Sequence, residues 1–315
     1  MMKTKWDTIV RVTGIGIFIG SMGMAGAAEP LETVKLWPGE APLEIGEFEA
    51  EKEPEPNPKA KRKVKRLTNV TEPRIEFYPA PADTNTGAVV VVAPGGGYGI
   101  LAYEHEGTMV VDWLNSIGVN GVLLKYRVPR RESDEQMMYE APLADAQRAI
   151  RLVRSRAEDW SVDPDRVGML GFSAGGHLTL ATGTNFDREM YEAVDEADAL
   201  SCRPDFCVPV YAAYLVKEGD GGKLPSEIEV TDETPPMFFA HAGDDKHSAE
   251  GSARVYIELR RRGIPAELHV YATGGHGFGM MDGAGPASSW PERCAEWMGV
   301  MGYLGGGEAG EREGE

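Results

Sequence analysis

Arg166-Val167-Gly168-Met169-Leu170-Gly171-Phe172-Ser173-Ala174-Gly175-Gly176-His177 is the stretch from which the rest of the chain is read. Arg166 to Leu170 reads as a strand and Ala174 to Thr182 as a helix. Between them, Gly171-Phe172-Ser173-Ala174-Gly175 has the Gly-x-Ser-x-Gly form, in which glycines permit a strained strand-to-helix turn that presents the serine hydroxyl. The helix N-terminus behind Ser173 offers backbone N–H groups and the positive end of a dipole. The alternative is a tight turn with an inert serine.

Outward from this stretch, short β-branched runs alternate with amphipathic helical ones. Strands are predicted at Thr68 to Tyr78, Ala88 to Ala93, Asn120 to Tyr126, Val208 to Ala212, Met237 to His241 and Ala266 to Tyr271, with a possible edge strand at Thr33 to Trp37. Helices are predicted at about Glu106 to Ser116, Pro142 to Ala157, Ser248 to Arg262 and Trp290 to Tyr303. Val89-Val90-Val91-Val92 lacks alternation, as expected of a central strand covered on both faces. The pattern implies one α/β domain with a mostly parallel sheet over 67–304 and no internal repeat. The stretch 185–232, rich in acidic residues and glycine, fits this rhythm poorly and is expected to form a partial lid over the C-terminal edge of the sheet. Residues 28–66 read as an N-terminal extension and charged linker, and 305–315 as a disordered acidic tail.

A serine nucleophile needs a base, and in this architecture the order along the chain is Ser, then Asp or Glu, then His. His241, His247 and His269 fall at a strand end, at a helix start and inside a strand. His276 instead lies in Gly274-Gly275-His276-Gly277-Phe278-Gly279, a loop directly after a strand, and is the candidate base. The acid should follow the preceding strand, where Ala242-Gly243-Asp244-Asp245 stands. Spacing alone does not choose between the two aspartates; Asp245 is favoured, with Asp244 read as a turn or capping residue. An oxyanion needs further N–H donors from the loop after an early central strand. Pro94-Gly95-Gly96-Gly97-Tyr98-Gly99 follows Ala88 to Ala93, which points to Gly96 and Gly97 as donors together with Ala174. A nucleotide cradle is the rival for that loop, but the Lys and Ser/Thr of a phosphate-binding loop are missing.

With 32 Lys and Arg against 50 Asp and Glu, the formal charge of -18 argues against a nucleic-acid partner. Lys3, Lys5 and Arg11, the apolar run Val12 to Met24 and Ala25-Gly26-Ala27 have the pattern of a secretory signal over 1–27. A secreted or periplasmic protein is therefore expected, without membrane attachment once the signal is cleaved. In an exported chain Cys202 and Cys207 can close a small loop disulfide, leaving Cys294 odd; no zinc spacing is present. No metal and no cofactor are called for.

The segments Val89 to Tyr98, Glu104-His105-Glu106-Gly107 through Trp113-Leu114-Asn115, Leu124-Lys125-Tyr126-Arg127-Val128-Pro129, Asp163 through His177, and Gly274 to Gly279 together resemble an α/β-hydrolase. Within that group the chain is similar to secreted bacterial esterases classed with acetylxylan esterases and feruloyl-esterase-like (BD-FAE-like) hydrolases. The glycine loop resembles the His-Gly-Gly-Gly loop of esterases, with Pro94 in the His position. The resemblance spans about residues 88 to 280 and implies a three-layer α/β-hydrolase fold. It also implies hydrolysis of acylated carbohydrate, with deacetylation of a xylan-like polymer foremost. Arg127 and Asp145 are expected to form a buried structural ion pair, His105 and Glu106 to cap and support the glycine loop, and Tyr98 and Trp160 are candidates for sugar stacking, with Trp160, shortly before Asp163, read rather as packing. A prolyl-oligopeptidase-like peptidase shares this order of residues, but the stretch before Ala88 is too short for a propeller. A non-catalytic carbohydrate-binding relative would need none of these residues in register.

Overall fold

The computed structural model describes residues 29–55, 64–216, 221 and 223–305. The expected signal segment and nearly all of the expected acidic tail lie outside these residues, as does 56–63 of the expected linker.

The described chain runs β1 (Glu32–Lys35), β2 (Arg74–Tyr78), β3 (Val89–Ala93), α1 (Met109–Ser116), β4 (Asn120–Lys125), α2 (Glu140–Ser155), the single turn α3 (Ala157–Trp160) and β5 (Val167–Phe172). It continues through α4 (Ala174–Thr184), β6 (Phe206–Val210), β7 (Met237–Ala242), α5 (Glu250–Arg261), β8 (Ala266–Tyr271) and α6 (Trp290–Val300). The eight strands form one sheet in the order β1-β2-β4-β3-β5-β6-β7-β8. β2 is antiparallel to both its neighbours, and every pairing from β4 to β8 is parallel.

The pleat divides β3 between two cores. Val89, Val91 and Ala93 point into one with residues of α2, α4 and α5, while Val90 and Val92 point into the other with residues of α1 and α6. The sheet is therefore covered on both sides, which is why β3 to β7 are buried throughout and read as apolar runs without alternation. This is the three-layer α/β-hydrolase architecture.

Several boundaries differ from the sequence reading. The run Thr68 to Tyr78 becomes a strand only from Arg74, because Asn69 takes a positive φ of 57° and Pro73 has no N–H to give a ladder. Leu67 and Val70 make isolated bridges to Leu101 and Val128 instead. The possible edge strand at Thr33 to Trp37 is present as β1, which pairs with β2 at the sheet edge, and Leu36 and Trp37 after it are buried in the core.

Part of the stretch expected as a lid packs on the body. Arg148 pairs with Asp195 and Asp198, Arg151 donates to Tyr191 Oη at 2.7 Å, and Arg154 reaches Asp205 at 2.9 Å, fastening residues 191–205 to the flank of α2. Cys202 and Cys207 are not a disulfide: all three cysteines are buried free thiols. The Cys202 thiol donates to Phe186 O and that of Cys207 toward Thr179 O. Neither candidate stacking residue is available to a sugar. Tyr98 is fully buried, and Trp160 stacks flat on Phe77 at a centroid distance of 4.2 Å.

Candidate active site

β5 delivers Ser173 at the carboxyl edge of the sheet, where the chain reverses into α4. Ser173 sits at φ 53°, ψ -115°, a strained conformation for a residue with a side chain. The flanking glycines allow it: a Cβ on Gly175 would collide with Ala93 O, and one on Gly171 with Gly175 O. The turn is braced by Ser173 N donating to Val210 O at 3.1 Å and by Ala213 N donating to Ser173 O at 3.1 Å.

Ser173 Oγ lies 2.8 Å from His276 Nε2, and His276 Nδ1 lies 2.7 Å from Asp245 Oδ2. Hydroxyl, imidazole and carboxylate thus stand in line, on three loops that follow β5, β8 and β7. Asp245 has no exposed side-chain surface. Burial acts to raise its carboxyl, but hydrogen bonds to His241, His276 and the His247 N–H, with the charge of His276, outweigh it and hold the group well below the usual carboxylate range. His241 is locked behind Asp245, its Nε2 2.9 Å from His247 O and its Nδ1 3.0 Å from Ser252 Oγ. Asp244 turns outward and accepts the Gly275 N–H at 2.8 Å, fixing the start of the histidine loop. Of the two aspartates that spacing left open, it is Asp245 that lies against His276.

A cavity of about 790 Å³ opens over Ser173 and His276. Gly96 and Gly97 line it with Tyr214, His247 and Phe278. Gly96 (φ 135°) and Gly97 (φ 66°) take conformations open to glycine, turning the peptide planes of the loop. Among the described residues the N–H groups of Gly96 and Gly97 have no acceptor inside the protein. Nor does that of Ala174, which opens a helix and has no carbonyl one turn back. Ala174 itself is buried. Of residues 185–232, only Tyr214 lines the cavity among the described residues; the rest of the wall includes Arg66, Lys246, Met281 and Asp282. Burial, with the neighbouring His276, lowers the His247 imidazole below its ordinary value. No group of three or more metal-ligating side chains is arranged to hold an ion among the described residues, and no described helix is long and apolar enough to cross a membrane.

The BD-FAE family model matches residues 75–211. Over 89% of its length, the chain is 31% identical to an acetyl ester-xyloside bifunctional hydrolase from Caldicellulosiruptor lactoaceticus, all of whose chain is covered, with a TM-score of 0.67. The chain belongs to the α/β-hydrolase esterase family. It is also 31% identical over 210 residues to an acetylxylan esterase of Xylanibacter ruminicola, covering 62% of this chain and 42% of that one. To endo-1,4-beta-xylanase B of Butyrivibrio fibrisolvens it is 29% identical, covering 60% and 32% respectively. The chain thus spans less than half the length of these two curated relatives.

Three parts of this esterase site were not legible in the sequence. Tyr211, just past β6, accepts the Gly279 N–H and donates to Glu106 Oε1, both at 2.8 Å. Arg130 donates to Gly97 O at 3.1 Å and lies 3.4 Å from Tyr214 Oη, bracing the glycine loop from outside. His241, which the sequence marks only as a strand-end histidine, supports the carboxylate. A polar ring closing a buried strand, as in Val210-Tyr211, is the one signal that marks Tyr211; nothing in the spacing marks Arg130. Glu106 supports the glycine loop as expected, accepting the Gly95 N–H at 2.8 Å.

Proposed function

We propose that this chain is a secreted serine esterase that removes acyl groups, acetyl foremost, from a xylan-like carbohydrate. The observation that carries the reading is the line from Ser173 Oγ through His276 to Asp245 at 2.8 and 2.7 Å, beside a loop of unpaired glycine N–H groups. His276 Nε2 takes the proton from Ser173 Oγ as Oγ bonds to the ester carbonyl carbon. The carbonyl oxygen becomes an oxyanion held by the N–H groups of Gly96, Gly97 and Ala174. The C–O bond to the sugar then breaks, the sugar oxygen takes the proton from His276, and an acyl-serine remains. Water repeats the sequence, giving the free acid and Ser173. Asp245 holds His276 in the tautomer with Nδ1–H and balances the imidazolium.

Support for a carbohydrate ester is twofold. The cavity wall carries Arg66, Lys246, His247 and Asp282, which suit a hydroxyl-rich leaving group better than an oily one. Two relatives carry the names acetylxylan esterase and acetyl ester-xyloside hydrolase. Secretion rests on the 1–27 pattern alone.

The test is acetate release from acetylated xylan by the purified protein beside Ser173→Ala, with methyl ferulate as a second substrate. Acetate from the parent alone is expected. Undiminished turnover by Ser173→Ala would refute the serine mechanism, and ferulate released without acetate would replace the acyl group.

A further inference from the structure

The two loops that carry the reacting groups leave different strands, β3 and β8, yet they are stitched together behind Ser173. The stitch begins in the π-helical turn Glu104–Thr108, in which four successive residues, His105 to Thr108, are buried. Such turns widen the helix and are found at functional sites. Here the widening lets one short segment hold both loops. Glu106 Oε2 accepts the Gly95 N–H at 2.8 Å, one residue before the oxyanion glycines. Glu106 Oε1 accepts the Tyr211 hydroxyl at 2.8 Å, and that hydroxyl accepts the Gly279 N–H at 2.8 Å. The carbonyl of His105 takes the next N–H, that of Met280, at 2.9 Å.

Room at the stitch is minimal. A Cβ on Gly95 would come within 2.6 Å of Glu106 Oε2 and 3.0 Å of Ser173 Cβ, so the carboxylate is packed directly behind the nucleophile's backbone. The Tyr211 ring stands edge-on to His276 with centroids 5.2 Å apart and to Phe278 at 4.4 Å. Both Glu106 and Tyr211 are buried, and both carboxylate oxygens of Glu106 are used.

We propose that Glu106 and Tyr211 are positioning residues for ester hydrolysis: through one hydrogen-bonded chain they set the glycine loop and the His276 loop at the separation that the tetrahedral intermediate requires. The inference rests on the serine-esterase reading above. Misplacing either loop lowers the rate of the chemical step, because donors and base must meet the same reacting atoms. Binding of the leaving group, made by the outer cavity wall, is left intact.

The experiment compares wild type, Tyr211→Phe, Glu106→Gln, Glu106→Ala and the double variant Tyr211→Phe/Glu106→Gln. Readouts are kcat and KM on 4-nitrophenyl acetate, the rate of labelling by a fluorophosphonate, and thermal melting. Tyr211→Phe is expected to lower kcat and the labelling rate about 10- to 100-fold with KM within about twofold. Glu106→Gln, which keeps an acceptor for the Gly95 N–H, should retain more kcat than Glu106→Ala. The double variant should fall little below its worse parent, because both changes cut one chain. Variants that lose melting temperature but keep kcat and labelling rate when folded would overturn the proposal, as would fully additive losses. If Glu106→Ala does not fold, Tyr211→Phe and Glu106→Gln carry the test. Wild type that neither labels nor turns over ester would instead refute the serine-esterase reading itself.

Discussion

Asp145, in α2, and Asp245, after β7, both have carboxylates with no exposed surface, and the company each keeps is opposite. Asp145 accepts the Arg127 N–H at 3.0 Å, its Nε and Nη2 at 2.9 Å, and Trp37 Nε1 at 2.9 Å. Arg127 spends its remaining donors on Pro42 O, Ala141 O and Glu44. Every donor is permanent, because a guanidinium does not give up its proton in a protein. Asp245 is met instead by imidazoles, His276 at 2.7 Å and His241 at 3.4 Å, and by the backbone N–H of His247 at 2.8 Å. Imidazole changes charge near neutrality. Burial of a carboxylate therefore does not mark a working site in this molecule; the nature of its donor does. The first aspartate is a clamp joining the N-terminal segment, the end of β4 and α2, and in the proposed mechanism the second serves a proton that moves.

The comparison breaks most decisively at Asp245. Asp245→Asn presents an amide to His276 Nδ1, which favours the wrong tautomer and leaves the imidazolium uncompensated. A fall of about 10⁴ in kcat is expected, with melting within a few degrees of wild type. Steady-state kinetics beside thermal unfolding checks this, and a loss under tenfold would place Asp245 among the structural carboxylates.

Arg127→Met is expected to do the reverse. It strands the Asp145 carboxylate with two N–H groups and costs about 3–5 kcal/mol of stability, while kcat per folded molecule stays near wild type. Adding Asp145→Leu should recover part of the loss, since removing both charges relieves the unpaired one. Urea unfolding of the three proteins measures it. A large drop in kcat for folded Arg127→Met would mean that the clamp also shapes the site.

The same contrast explains what could be read in the sequence. Ser173 and His276 stand out as candidates because glycines surround each, at a strained elbow and in a returning loop. The Arg127–Asp145 pair was legible through the family resemblance, and a mostly parallel sheet through the alternation of strands and helices, with Val89–Val92 marking a central strand. The choice of Asp245 over Asp244 was not, because adjacent residues differ only in which way the turn points them. The packing of 191–205, inside the stretch expected as a lid, was not legible for a related reason. Acidic residues there suggest a solvated flap by composition, but Arg148, Arg151 and Arg154 lie one turn apart on α2 and fasten the stretch down, a match visible only in three dimensions. Tyr211 and Arg130 contact loops distant in sequence; Tyr211 is marked by no more than a polar ring closing a buried strand, and Arg130 by nothing in its spacing.

Asp244 tests whether its neighbour's role extends to it. Among the described residues it accepts the Gly275 N–H at 2.8 Å and is not hydrogen-bonded to His276. Asp244→Ala is therefore expected to lower kcat by about three- to tenfold through a looser histidine loop, with KM unchanged. A loss as large as that of Asp245→Asn would show the two carboxylates to be one functional unit.

The smallest effect is the pH dependence of stability. Asp245 is held well below the ordinary carboxylate range: burial opposes this, but the hydrogen bonds from His241, His276 and the His247 N–H outweigh it. A carboxylate depressed in the folded state stabilises the fold in full above its unfolded value, about 3.9, and loses that contribution as pH falls from there toward its folded value. Wild type should therefore melt slightly above Asp245→Asn at pH 6, and the gap should narrow as pH drops below about 4. Melting both proteins from pH 6 to pH 3 isolates this one group, since every other carboxylate is common to both. A gap that stays constant would mean that the histidines do not stabilise the ionised Asp245, and the distinction from Asp145 would then rest on kinetics alone.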